Sequence, residues 1–152
     1  MKRVMSCVLL GACALVSPVA AQQPVPIAEF QTFRCEFSEG EGRQVVDGKT
    51  TDRRGDRFSE PLIIDSINYK SRTARLVGNA GGSDLMLLSD GRLAVTFVEH
   101  TEPGGVVVLT IFKHAAGFDV YHRAVMSRHL PFNAPVGSLS MTQYYGTCRG
   151  LP

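Results

Sequence analysis

Turn signals recur along this chain at spacings close to ten residues, and no stretch sustains a helical period with caps. Such a pattern points to an all-β fold, a barrel or a sandwich. It is clearest from Ser83 to Lys113, SDLMLLSDGRLAVTFVEHTEPGGVVVLTIFK, which reads as three consecutive strands joined at Asp90-Gly91 and Pro103-Gly104. Both dipeptides carry backbone preferences that reverse a chain.

The beginning of the chain reads differently. Lys2 and Arg3 precede the apolar run Val4 to Val16, and Val19-Ala20-Ala21 offers small residues at cleavage positions. This is the layout of a secretory signal peptide over residues 1–21, which leaves residues 22–152 as a single β domain in the periplasm or outside the cell. Leu10-Gly11-Ala12-Cys13 also matches a lipoprotein processing box, which would anchor the chain through Cys13. The apolar run continues past Cys13 to Val16, which fits cleavage near Ala21 better. At 152 residues with 44% hydrophobic and 20% charged content, the chain has the composition of one domain around one core.

Without the leader, Lys and Arg fall from 16 to 14, level with the 14 acidic residues. A balance near zero supplies no electrostatic footprint for nucleic acid or an anionic membrane. No later run approaches about 18 apolar residues, so no transmembrane segment is expected. Two of the four cysteines also leave with the leader, and the remaining Cys35 and Cys148 are expected to form one disulfide in an exported chain. That bond would make the first and last confident strands neighbours. Sequential hairpins whose ends meet describe an antiparallel up-and-down barrel of about eight strands, with a β-sandwich as the alternative.

Along the domain, Phe33, Cys35 and Phe37 alternate with polar residues as in a half-buried strand, and Arg43 to Val46 suits a short second one. Asp47 to Glu60 is the most polar stretch and reads as a solvated loop. Within it, Arg54-Gly55-Asp56 matches the tripeptide that integrins recognise, a three-residue coincidence that a solvated turn explains. Leu62 to Asn68 and Thr73 to Gly78 form a hairpin, Phe118 to Met126 a strand, Ser127 to Ser138 a Pro-containing connection, and Met141 to Cys148 the closing strand.

Register follows from the turns. A two-residue turn at Asp90-Gly91 sets Met86, Leu88, Leu93, Val95 and Phe97 on one face, and a turn centred on Pro103-Gly104 adds Glu99, Val108, Thr110 and Phe112. The opposite face then reads Leu85, Leu87, Val98, Val107, Leu109 and Ile111. A sheet apolar on both faces needs a cover, supplied by the Ser127–Ser138 connection or by a partner, which includes a homodimer through this outer stripe.

Chemistry is sparse. The chain has no GxSxG elbow, phosphate loop or dinucleotide fingerprint, and its four histidines lack metal-ligand spacing. No enzyme, cofactor or metal is expected. If Lys113 pairs with Phe118, Tyr121 and Arg123 join Glu99 inside, where a Glu and an Arg must pair or be solvated by a cavity or ligand. A one-residue shift aims His122 inward instead. Arg128-His129, at the sheet end where His100 also lies, is the second candidate, a basic pair able to receive an anionic ligand group.

Gly78-Asn79, Thr96-Phe97-Val98-Glu99, Ser127-Arg128-His129 and Tyr145-Gly146-Thr147-Cys148 resemble a group of small exported bacterial proteins of unknown function. That resemblance spans most of the domain and carries no activity. Barrel architecture is shared with lipocalins and avidins, but both rely on tryptophan at their ligand sites and this chain has none. The expectation is an exported, non-enzymatic binding module for an unknown small ligand. The alternative is a protein-interaction or protease-inhibitor-like module that engages an envelope protein.

Overall fold

The computed structural model describes residues 30–55, 57–79, 81–102, 104–115, 121–131 and 138–151. The leader, the Cys13 box and Asp56 of the Arg-Gly-Asp tripeptide lie outside the described residues. The described chain is all β and contains no helix, so none is long and apolar enough to cross a membrane. Its nine strands are β1 (Thr32–Val46), β2 (Lys49–Arg54), β3 (Leu62–Asn68), β4 (Thr73–Gly78), β5 (Gly81–Asp90), β6 (Ala94–Thr101), β7 (Gly105–Ala115), β8 (Tyr121–Pro131) and β9 (Leu139–Leu151).

Each strand from β3 to β9 pairs antiparallel with the next, and β9 returns to β1. The result is a closed eight-stranded barrel, with β2 as the additional strand. β9 runs beside β1 from Thr32↔Leu151 to Val45↔Leu139. The other edge of β1 is shared, with β3 along Phe33 to Cys35 and β2 along Glu41 to Val46. Both run antiparallel to β1, so β2 and β3 are two halves of one interrupted strand. At the gap β1 is bulged between Phe37 and Glu39, and the Phe58 N–H donates to the Phe37 carbonyl at 3.2 Å.

Cys35 and Cys148 face each other across the closing seam with their Cα atoms 4.0 Å apart and are disulfide-bonded. The bond joins residues 113 positions apart, and both sulfur-bearing residues are fully buried. Around them the interior is filled by side chains that alternate inward, with Phe33, Ile64, Leu87, Phe97, Ile111 and Met126 almost completely removed from water. Burial of each contributes about 1.5–3 kcal/mol.

The architecture matches the barrel expectation, whereas several local assignments do not. The charged stretch after Val46 holds strand β2, and Asp47-Gly48 is the two-residue hairpin turn: both residues are left-handed, at φ 50° and 71°, and Val46 pairs with Lys49. That geometry is what a type I′ turn requires. Asp90-Gly91, by contrast, takes no left-handed backbone; the Gly91 N–H donates to the Ala94 carbonyl, Asp90 pairs with Val95, and a bulge at Leu88 shifts the phase. Thr101 pairs with Gly105, so the β6–β7 turn is one residue longer than the Pro103-Gly104 centring implies.

These shifts leave β6 as expected, with Val95, Phe97 and Glu99 inward, and invert its neighbours. Leu85, Leu87, Val107, Leu109 and Ile111 are core, while Met86, Leu88, Leu93 and Phe112 stand on the outer wall at 50%, 55%, 53% and 40% exposure. Four strand irregularities, at Phe37/Glu39, Asp65/Asn68, Leu87/Ser89 and Ile111/Ala115, bend the sheet toward closure. β8 also extends to Pro131, so Ser127 to Pro131 is strand rather than connection.

Candidate functional site

Chain direction sorts the turns into two ends. The β4–β5 and β6–β7 turns lie at the upper end, and the β3–β4 and β5–β6 turns lie with Phe30 at the lower end. The side chains inside change character along this axis.

At the lower end the packing is aromatic and tight. The Phe30 ring meets the Phe33 ring edge-on at 5.7 Å between centroids and lies directly on Gly150, where a Cβ would come within 2.4 Å of the ring. Glycine is therefore required at position 150 for this ring to seat. The Tyr69 hydroxyl donates to the Phe30 carbonyl at 3.3 Å, and burial with the nearby Asp90 charge pushes the phenol up to about 12.

His122 completes this end. It pairs with Cys148 in register, is only 3% exposed, and sits 6.4 Å from both the Phe30 and the Phe33 ring. Neither imidazole nitrogen makes a hydrogen bond of normal geometry among the described residues. Burial pushes its pKa below the ordinary value, and the nearby Phe112 backbone offsets this only in part.

The upper end is open. A cavity of about 390 Å³ lies in the mouth, with Phe58, Leu76, Glu99, Thr101, Met126 and Arg128 among its walls. Strand register explains why two charged residues meet here. Glu99 pairs with Val107, and Val107 pairs with Arg128, so the acid and the base occupy one inward-facing row with a single valine between them. Two strand spacings separate their backbones by roughly 10 Å. Among the described residues no ion pair joins them.

Phe58 positions the base. Its ring lies 5.7 Å from the Arg128 guanidinium carbon and is itself held edge-on by Tyr144 at 4.7 Å. A cation over an aromatic face is held without losing the in-plane N–H groups, which stay available to an acceptor. The same ring also borders a groove of about 310 Å³ on the outer wall beside Ser38 and Pro61. Phe58 thus fills the gap between β2 and β3 from both sides. Thr101 Oγ1 is buried at the mouth without a hydrogen-bond partner among the described residues.

Of the residues singled out in the sequence, Glu99 and Arg128 come together at this mouth. Tyr121 and Arg123 do not: both face outward, Tyr121 at 41% exposure, because the extra residue in the β6–β7 turn inverts β7, and β8, paired to it, follows and brings His122 inward in their place. His129 faces outward as well, into a polar groove of about 480 Å³ on the outer wall shared with Met141 and the Arg43–Asp52 ion pair. His100 and His129 do share one row, each paired with Val106, but both side chains are exposed. No group of three or more His, Cys, Asp and Glu side chains gathers at metal-binding distance among the described residues.

Phe58 and Thr101 were not singled out. Phe58 carried one usable signal, as the only aromatic residue between Asp47 and Glu60, a stretch with nothing else to anchor it. No protein-family model, curated protein or solved structure matches the chain.

Proposed function

We propose that this protein is an exported, non-enzymatic binding module that holds a small ligand in the upper mouth of its barrel. The observation that carries the reading is the cavity of about 390 Å³ whose wall contains Glu99 and Arg128 without an ion pair between them. Its volume lies in the range of small-molecule sites, roughly 300–1,000 Å³, and its lining mixes apolar side chains such as Leu76, Val107 and Met126 with polar ones such as Asn79, Ser83, Glu99 and Arg128. Half-buried charges of opposite sign that do not neutralise each other are solvated by water or by a ligand. Export rests on the leader at residues 1–21 and agrees with the buried disulfide.

Mass spectrometry of the protein purified natively from its source tests both parts. The expected species begins at Gln22, lacks two hydrogens at Cys35 and Cys148, and carries a small adduct that Arg128→Gln removes. A chain that begins at an acylated Cys13 moves the protein to a lipid anchor. A bare chain that also binds no small molecule in solution overturns the binding reading.

A second reading rests on the outer wall, where Met86, Leu88, Leu93 and Phe112 are each exposed to water. In that reading the protein is an interaction module, and a second copy of the chain is the simplest occupant. Sedimentation of the wild type and of Leu88→Lys/Leu93→Lys decides it: a dimer that the lysines dissolve supports the reading, and a wild-type monomer removes it.

A further inference from the structure

We propose that the upper mouth takes a zwitterion with an apolar body, its anionic group set against Arg128 and its ammonium against Glu99, the class that free apolar amino acids represent. This deepens the reading of the mouth as a ligand site and rests on it.

Glu99 and Arg128 are the charged residues among the described lining of the cavity, and they carry opposite signs. They flank Val107 on one inward row, so a bound molecule lying across that valine meets both. A simple anion gains against Arg128 and loses against Glu99, and a simple cation does the reverse. A molecule with both charges gains at each end, in a half-buried mouth where Coulomb interactions are stronger than in water. The Phe58 ring on Arg128 leaves the guanidinium edge free to grip a carboxylate in a bidentate manner.

The body of the ligand is set by the floor. Leu76, Val107 and Met126 are apolar, and beneath them Phe97 and Ile111 are completely buried. An apolar floor of this kind receives an aliphatic side chain. The class is therefore an amino acid with an apolar side chain, matched by the two opposite charges and the apolar floor.

Isothermal titration of the oxidised protein with L-leucine, N-acetyl-leucine, leucinamide and hexanoate tests this. Leucine is expected to bind, and loss of either charge is expected to weaken binding about tenfold or more. Glu99→Gln should abolish the preference for leucine over N-acetyl-leucine, and Arg128→Gln the preference over leucinamide. Circular dichroism shows whether each variant is folded, and the wild-type comparison decides the question if one is not. Binding of N-acetyl-leucine or hexanoate as tightly as leucine overturns the zwitterion while leaving the mouth a ligand site. Binding of none of the four overturns the zwitterion, and the mass-spectrometric adduct then decides separately whether the mouth is a site at all.

Discussion

At the lower end of the barrel the Phe30 ring seats on Gly150 against Phe33 and His122, beside a fully buried disulfide. At the upper end, on the same strands, Glu99, Thr101 and Arg128 surround a cavity. One end is therefore closed by aromatic packing, with His122 sealed inside it, and the other is open around two charged side chains. With the mouth read as the proposed ligand site, stability and binding become separable along the barrel axis. Substitutions below should lower stability and leave ligand affinity alone, while substitutions of the charged mouth residues above should lower affinity and leave stability nearly unchanged.

The largest expected effect is Phe33→Ala, which empties a completely buried aromatic site and should cost about 3–5 kcal/mol in urea unfolding. If the lower end can collapse onto the hole, the loss will be smaller and the contrast between the ends weakens. Next comes the Cys35→Ser/Cys148→Ser pair. It opens a loop of 113 residues, and the expected loss lies between about 2 kcal/mol and the chain-entropy limit of about 4.7 kcal/mol. The β-sheet circular dichroism should persist at room temperature; its disappearance would mean that the seam depends on the bond.

Phe58→Ala should cost on the order of 1 kcal/mol through its lost ring contact with Tyr144. It should also weaken any ligand held by Arg128, an effect that no lower-end substitution should reproduce.

A pH effect is expected from the lower end. His122 has a pKa depressed by burial from its ordinary 6.5. Below that value the unfolded chain takes up a proton that the folded chain resists, so the stability present above pH 6.5 is lost progressively as the pH falls toward the folded pKa. In His122→Phe this part of the acid sensitivity should vanish, read as a flatter melting temperature between about pH 7.5 and 5.5. An unchanged slope would place the proton uptake elsewhere. The smallest effect should be that of Arg128→Gln on stability, within about 0.5 kcal/mol, despite the loss of binding proposed for it.

The barrel itself was legible in the sequence, because turn chemistry and two cysteines are local and countable. The hairpin of Leu62–Asn68 and Thr73–Gly78 has the bounds its pattern implies, and β6 faces as its alternation suggests. The inward faces of β5, β7 and β8 were not legible. With leucine and valine on both faces, alternation there carries no phase information, and a single bulge at Leu88 or one extra residue in the β6–β7 turn inverts the reading. The same cause separated Arg128 from Arg123. Two Asp-Gly dipeptides looked alike, and the one among charged residues, Asp47-Gly48, proved to be the tight turn. Glu99 could be placed because its own strand is regular; Arg128 could be suspected only from its position at a strand end.

The closing seam bears on how the molecule folds. β1 pairs along nearly its whole length with β9, so the most extensive pairing joins the two strands most distant along the chain. Every other neighbour in the ring is a short hairpin or a local return. Non-local pairings of this kind slow folding, since a long loop must close before any contact rewards it. The hairpins can form early and independently, while the ring itself is an all-or-none event awaiting the final strand. Until then Phe33, Cys35 and Phe37 have an unpaired edge beside them, and the thiol of Cys35 is within reach of oxidants. The rate at which the disulfide forms should therefore report the moment of closure, and loss of β9 should leave an open, association-prone sheet instead of a smaller barrel.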